Sequence, residues 1–137
     1  MAEIARASQG LIDTSVVIDL EHIDPECLPR ELAISALTMA ELAAGPHATR
    51  DSGERARRQD RLQRAEATFD PLPFGADCAR AYGRVYAAIA AIGRKARGPR
   101  AVDLLIAATA VAANLPLYTR NVSDFRGIED LLEIIGV

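Results

Sequence analysis

Gly10-Leu11-Ile12-Asp13-Thr14-Ser15-Val16-Val17-Ile18 is the stretch on which the reading of the whole chain turns. Gly10-Leu11-Ile12 is a short apolar run of the kind that makes a buried strand. It stops at an acid. Thr14 and Ser15 form a polar turn, and Val16, Val17, Ile18 and Leu20 open a helix. A carboxylate between two apolar runs is costly to bury unless it is paired or binds a cation. Asp13 is therefore a candidate functional residue. It could instead cap the first helix, although Thr14 or Ser15 would serve as well.

The same alternation continues outward. Asp24 to Pro29 carries two prolines and reads as loop. Leu32-Ala33-Ile34-Ser35 is a second buried strand, and Thr38 opens a helix through Ala44 that Gly45-Pro46 stops. Ala48 to Phe69 is a polar helix with Leu62, Ala65 and Phe69 at helical spacing, and Pro71-Leu72-Pro73-Phe74 is a connector or edge strand. Ala76 to Arg94 is a long helix with a stripe of Ala79, Tyr82, Val85, Tyr86, Ile89 and Ile92 or Gly93. Arg97-Gly98-Pro99-Arg100 breaks it. Val102 to Asn114 is a helix apolar nearly all round, Leu115 to Thr119 a strand, Asn121 to Phe125 a turn and Leu132 to Ile135 a last strand. Short strands alternating with helices predict a mostly parallel sheet covered by helices on both faces, a three-layer α/β/α fold. Ligands of such sheets bind beyond the carboxyl ends of the strands, so the residues just after each strand matter most.

The 137 residues suit one domain spanning the whole chain, 1–137. Half are hydrophobic and 26% are charged, which excludes disorder, and with no Trp the core must be aliphatic. A net charge of −3 excludes a non-specific coater of nucleic acid. The positive charge is nonetheless clustered: Arg50, Arg55, Arg57, Arg58, Arg61 and Arg64, then Arg94, Lys95, Arg97 and Arg100. The first group alternates with Asp51, Glu54, Asp60 and Glu66 and suits a solvated helix face. Cys27 and Cys78 have no CxxC or nearby His and read as core thiols. Met1 to Gln9 lacks the apolar core of a secretory leader, and no run is long enough to span a bilayer. A cytoplasmic protein with no membrane association is expected.

Four acids stand at the predicted strand ends. Asp13 follows the first. Glu41 lies one turn into the helix after the second, three residues beyond Thr38, a spacing that also makes a capping box. Asp103 opens the most apolar helix and shares a face with Ile106, Ala107 and Ala110, although it could simply favour the positive end of that helix. Asp124 follows the strand ending at Thr119 and could be an Asx turn. Two such charges about 4 Å apart repel by about 4 kcal/mol at an effective dielectric near 20, so convergent carboxylates protonate or bind a cation. An all-oxygen set suits Mg²⁺ or Mn²⁺ rather than zinc. Such an ion favours phosphodiester hydrolysis. Walker, GxGxxG and GxSxG motifs are absent.

Leu11-Ile12-Asp13-Thr14-Ser15, Thr38-Met39-Ala40-Glu41-Leu42, Val102-Asp103-Leu104-Leu105-Ile106-Ala107 and Thr119-Arg120-Asn121-Val122-Ser123-Asp124-Phe125 resemble, in order, the motifs of PIN-domain nucleases. Length and order are similar to the VapC-type toxins of bacterial toxin–antitoxin pairs. The resemblance implies a doubly wound PIN-like domain that cleaves RNA with Mg²⁺ or Mn²⁺. It implies Asp13, Asp103 and Asp124 as metal ligands, and Glu41 acting directly or through water. Thr14 or Ser15 and Thr119 or Asn121 would support these acids or touch substrate. A homodimer and a cognate antitoxin covering the site are also implied. Arg94, Lys95, Arg97 and Arg100 precede Asp103 and are placed at the groove rim for RNA phosphates. The alternatives are a non-catalytic binding module on the same fold, or another Mg²⁺-dependent phosphoesterase.

Overall fold

A computed structural model describes residues 7–137. Most of the stretch read as lacking a secretory leader, Met1 to Gln9, thus lies outside the described residues. Four short strands form one sheet: β1 (Gln9–Ile12), β2 (Glu31–Ala33), β3 (Leu117–Thr119) and β4 (Ile134–Gly136). Their order is β2-β1-β3-β4, and every pairing is parallel. Ile34 and Ser35 extend the second strand as a single bridge to Leu72, which confines the proline-flanked segment to the sheet edge.

Alternation along the two central strands divides the interior. Leu11 and Leu117 are opposite one another, and so are Ile12 and Tyr118. Leu11 and Leu117 point to one face and join a core built from α4 (Ala76–Ala91), α5 (Pro99–Ala113) and Phe125. Ile12 and Tyr118 point to the other and join Val16 and Val17 of α1 (Thr14–Ile18), Leu42 of α2 (Ala36–Ala44), and Leu62 and Ala65 of α3 (Ser52–Thr68). Helices thus cover both faces, giving the three-layer α/β/α arrangement. Among the described residues no helix is long and apolar enough to cross a membrane.

Several boundaries differ from the sequence expectation. Helix α2 begins at Ala36, not Thr38, because Ser35 is its cap and accepts a hydrogen bond from the Leu37 N–H at 3.0 Å. The Thr38–Glu41 capping box is therefore overturned. Helix α5 begins at Pro99, whose missing N–H is harmless at a first helical position, so Asp103 lies in the second turn rather than at the start. The buried stripe of α4 is Cys78, Ala81, Val85 and Ile89, with Tyr82 half-buried. Ala79, Tyr86 and Ile92 face outward. The stripe expected from sequence followed the aromatics, whereas packing chose the smaller residues that let α4 lie close to α5. Cys78 is a core thiol as expected, but Cys27 is exposed, since it closes a surface turn between Pro25 and Leu28.

Gly10 owes its place to close packing. A Cβ there would stand 2.5 Å from Tyr118 Cε1 and 3.0 Å from Pro29 Cγ. Gly10→Ala is expected to destabilise the protein by about 1–3 kcal/mol through overpacking, measurable as a lower midpoint in urea at unchanged slope.

Candidate active site

The carboxyl ends of β1, β2 and β3 open on the same edge of the sheet. Asp13 ends β1. Its backbone N–H continues the ladder to Tyr118 O at 3.1 Å, so its position is fixed by the sheet itself. The side chain is buried, with 4% exposure. Oδ1 caps α1 by accepting the Val16 N–H at 3.1 Å, and it accepts the Ser15 hydroxyl at 2.6 Å. The capping role weighed from sequence is therefore real. It occupies only Oδ1 and leaves Oδ2 available. Ser15 Oγ in turn accepts the Arg120 N–H at 3.1 Å, which ties Asp13 to the end of β3.

Glu41 stands on the second turn of α2. With its capping role gone, its partner is across the site: the Thr14 hydroxyl donates to Oε1 at 2.6 Å. Thr14 Oγ1 also lies 3.0 Å from Oγ1 of Thr38, which is fully buried. Sequence reading missed Thr38 as a member of this group. Its spacing of one turn from Glu41 was the available signal, and it was absorbed by the capping box.

Asp103 is half-buried on α5, and its pKa is pushed up to about 7. Burial is the largest cause; the charges of Asp124, Glu41 and Asp13 follow in that order, and Arg100 opposes them. All three other acids thus act on Asp103 through a shared space. Among the described residues no three His, Cys, Asp or Glu side chains are already drawn in tightly enough to hold an ion.

Asp124 is half-buried on a 3₁₀ turn, Val122–Phe125, that follows β3. The turn is anchored below by Phe125, which is buried in the α4–α5 core. Asn121 offers no side-chain cap to it, whereas the Thr119 hydroxyl oxygen accepts the Asn121 N–H at 3.0 Å. Thr119 is buried and Asn121 exposed, so Thr119 shapes the turn while Asn121 faces solvent.

The basic residues divide sharply. In the first group, Arg57 and Arg58 pair with Glu54, Arg64 pairs with Asp60 and Glu21, and Arg55 holds the carbonyls of Pro46 and Thr49. Arg57, Arg58 and Arg64 are thus paired with acids on the helix surface, while Arg55 ties down loop carbonyls. In the second group, Lys95 and Arg97 are exposed. Arg100 is half-buried, its buried Nε has no partner among the described residues, and its charge favours ionised Asp103. Arg94 is no free rim cation. Its Nη1 donates to the carbonyls of Ser123 and Arg126, each at 3.1 Å. Partial burial holds its pKa below the ordinary value, helped by Arg100 and Arg126 and opposed by Asp124 and Glu129.

The PIN domain model matches residues 10–130. Ribonuclease VapC5 of Mycobacterium tuberculosis is 35% identical over 133 residues, covering 93% of this chain and 95% of its own. The crystal structure of the M. tuberculosis toxin–antitoxin member VapBC-5 superposes with a TM-score of 0.83 at 34% identity, covering 95% of this chain and 99% of that one. VapBC2 of Rickettsia felis, bound to a DNA fragment from its promoter, gives 0.75 at 25% identity, with 94% and 98% covered. The match takes in all four acids and the sheet edge they share, and the chain belongs to the PIN-domain family.

Proposed function

We propose that this protein is the toxin of a toxin–antitoxin pair, an endoribonuclease dependent on Mg²⁺, with Mn²⁺ as a substitute. The observation that carries the reading is Asp103. Burial and the charges of three other carboxylates raise its pKa to about 7, which is the signature of a site short of positive charge. The donors are all oxygen, which fits a hard divalent cation. Asp13, Asp103 and Asp124 would hold it, and Glu41 would act directly or through water. When bound, the ion supplies an activated water and neutralises charge on the leaving oxygen.

The remaining groups hold the acids in place. Ser15 orients Asp13 through its hydroxyl, and Thr14 orients Glu41. Hydrogen-bonded partners of this kind fix which lone pairs are free to meet a cation. Thr119 shapes the turn that carries Asp124, and Asn121 faces outward towards substrate. Lys95, Arg97 and Arg100 lead into the site and suit RNA phosphates, with Arg fitted for paired contacts to phosphate oxygens.

The toxin assignment is supported by similarity to VapC ribonucleases and by the VapBC complexes that share the fold. The same likeness supports a cognate antitoxin that covers the site, a homodimer, hetero-oligomers with the antitoxin, and a place in the cytoplasm.

The direct test is cleavage of a mixed RNA by the purified protein. Cleavage with Mg²⁺ or Mn²⁺, loss in EDTA and recovery on adding the metal back are expected. Full cleavage in EDTA would overturn the metal assignment. Turnover of a small phosphomonoester faster than RNA would favour a different phosphoesterase, and no metal binding with or without RNA would favour a non-catalytic module.

A further inference from the structure

The turn that carries Asp124 is held from outside the sheet, by the end of α4. Gly93, at φ +76°, ends that helix by turning the chain back on itself. Gly93 N–H reaches Ala90 O at 3.0 Å, and Arg94 N–H reaches Ile89 O at 3.1 Å. These paired bonds are those of a Schellman cap, a rigid way to end a helix. They fix the Arg94 backbone and aim its side chain across to residues 123–127.

Arg94 grips that turn at two points. Nη1 donates to the Ser123 carbonyl, one residue before Asp124, and to the Arg126 carbonyl, two residues after it. A second contact from the same helix end reinforces the grip. Gly127 adopts φ +112°, and a Cβ there would lie 2.7 Å from Ile92 Cδ1. The turn's own backbone bonds are of the 3₁₀ kind, among them Asp124 N–H to Asn121 O at 3.1 Å and Arg126 N–H to Ser123 O at 3.3 Å. Such short turns are weak in isolation. An outside donor bridging the carbonyls on either side of Asp124 determines where that carboxylate stands.

We infer that Arg94 is a positioning residue for Asp124, setting the fourth carboxylate against Asp103, and does not contact RNA. The inference rests on the carboxylate reading of the site. A guanidinium can span two carbonyls and stay charged at any working pH. Methionine keeps the stem and loses both bonds and the charge. Lysine keeps the charge and a donor nitrogen, but on a side chain one atom shorter than the Nη1 that makes both bonds.

The test measures Mn²⁺ binding by calorimetry on the folded, RNA-free protein, together with RNA cleavage, for wild type, Arg94→Met, Arg94→Lys and Asp13→Asn. Arg94→Met is expected to weaken Mn²⁺ binding by about 10-fold or more, the cost typical of losing a group that orients a ligand. The KM for RNA at saturating Mn²⁺ should stay near wild type. Arg94→Lys should restore part of the Mn²⁺ affinity. Amide hydrogen exchange at Asp124 and Arg126 should be faster in Arg94→Met, a readout that is valid even if the variant is less stable, provided exchange within α5 is unchanged. Wild-type Mn²⁺ affinity and wild-type exchange in Arg94→Met would overturn the inference. So would a raised KM for RNA with unchanged Mn²⁺ binding, which would make Arg94 a phosphate contact. Loss of Mn²⁺ binding in Asp13→Asn with retention in Arg94→Met would sink the positioning role alone. Retention in both would sink the carboxylate reading beneath it.

Discussion

Asp103→Asn is expected to abolish RNA cleavage and, in the same experiment series, to make the metal-free protein more stable at about pH 8. The two effects have one cause. Folding raises the Asp103 pKa from 3.8 to about 7, chiefly by burial and then by the charges of Asp124, Glu41 and Asp13. The folded state therefore holds a proton on this carboxyl more tightly than the unfolded chain does. Below the unfolded value both states are protonated and nothing is lost. Between the two values the unfolded chain gives up its proton and the folded protein does not, so stability falls as pH rises, and the full penalty is reached above the folded value. Asparagine has nearly the same shape and no charge, so it escapes this penalty. The gain should be about 1 kcal/mol, since the half-buried side chain keeps water contact that screens the charges, or about 4 °C in melting temperature. The advantage should shrink towards about pH 4 and when Mg²⁺ is added to wild type. Cleavage should fall by about 100-fold or more, because a neutral amide is a poor ligand for a hard cation. Thermal melts in EDTA across pH, set beside a cleavage assay, check both. A variant that is less stable than wild type at high pH, or that cuts RNA normally, contradicts the assignment.

Asp13 should separate two roles that Asp103 does not combine. Its Oδ1 caps α1 and accepts the Ser15 hydroxyl, so part of its value is structural. Asparagine caps helices about as well as aspartate. Asp13→Asn is thus expected to fold, to keep α1, and to lose about 100-fold or more in cleavage as a metal ligand is lost. Asp13→Ala should lose cleavage to a similar degree and also lose the cap, about 1 kcal/mol, leaving the Val16 N–H and the Ser15 hydroxyl without their acceptor. If asparagine cut RNA as fast as wild type, Asp13 would be only a helix cap. Melting curves and cleavage rates for the pair decide the matter.

Most of this architecture was legible in the sequence, because the strongest signals were local. The apolar run ending at Asp13, the Gly-Pro stop after α2 and the uniformly apolar α5 each declare an element without help from the rest of the chain. The carboxyl-edge rule then gathers the acids on one side of the sheet. Less legible were choices made by tertiary contact. Ser35 and Thr38 are equally good caps in isolation. The bridge of Ser35 to Leu72 extends the strand and settles the cap at Ser35, which releases Thr38 and Glu41 to face Thr14. The face of α4 was read only in part: Val85 and Ile89 are buried as expected, but nothing local says that Cys78 and Ala81 will be buried while Tyr86 stays out. Arg94 looked like its neighbours Lys95 and Arg97. Only the fold shows that carbonyls from a turn some thirty residues later meet it.

The strand order has a consequence for the timing of activity. β1 has β2 on one side and β3 on the other, and β3 belongs to the last fifth of the sequence. Asp13 and Asp124 can meet only through that late pairing, and long-range parallel pairing is slow to form. A chain growing on the ribosome can build α1, β2 and the helices after them. It has no assembled carboxylate edge until the residues that follow β3 have emerged. The sheet topology thus delays assembly of the candidate site until β3 and the turn after it have been made.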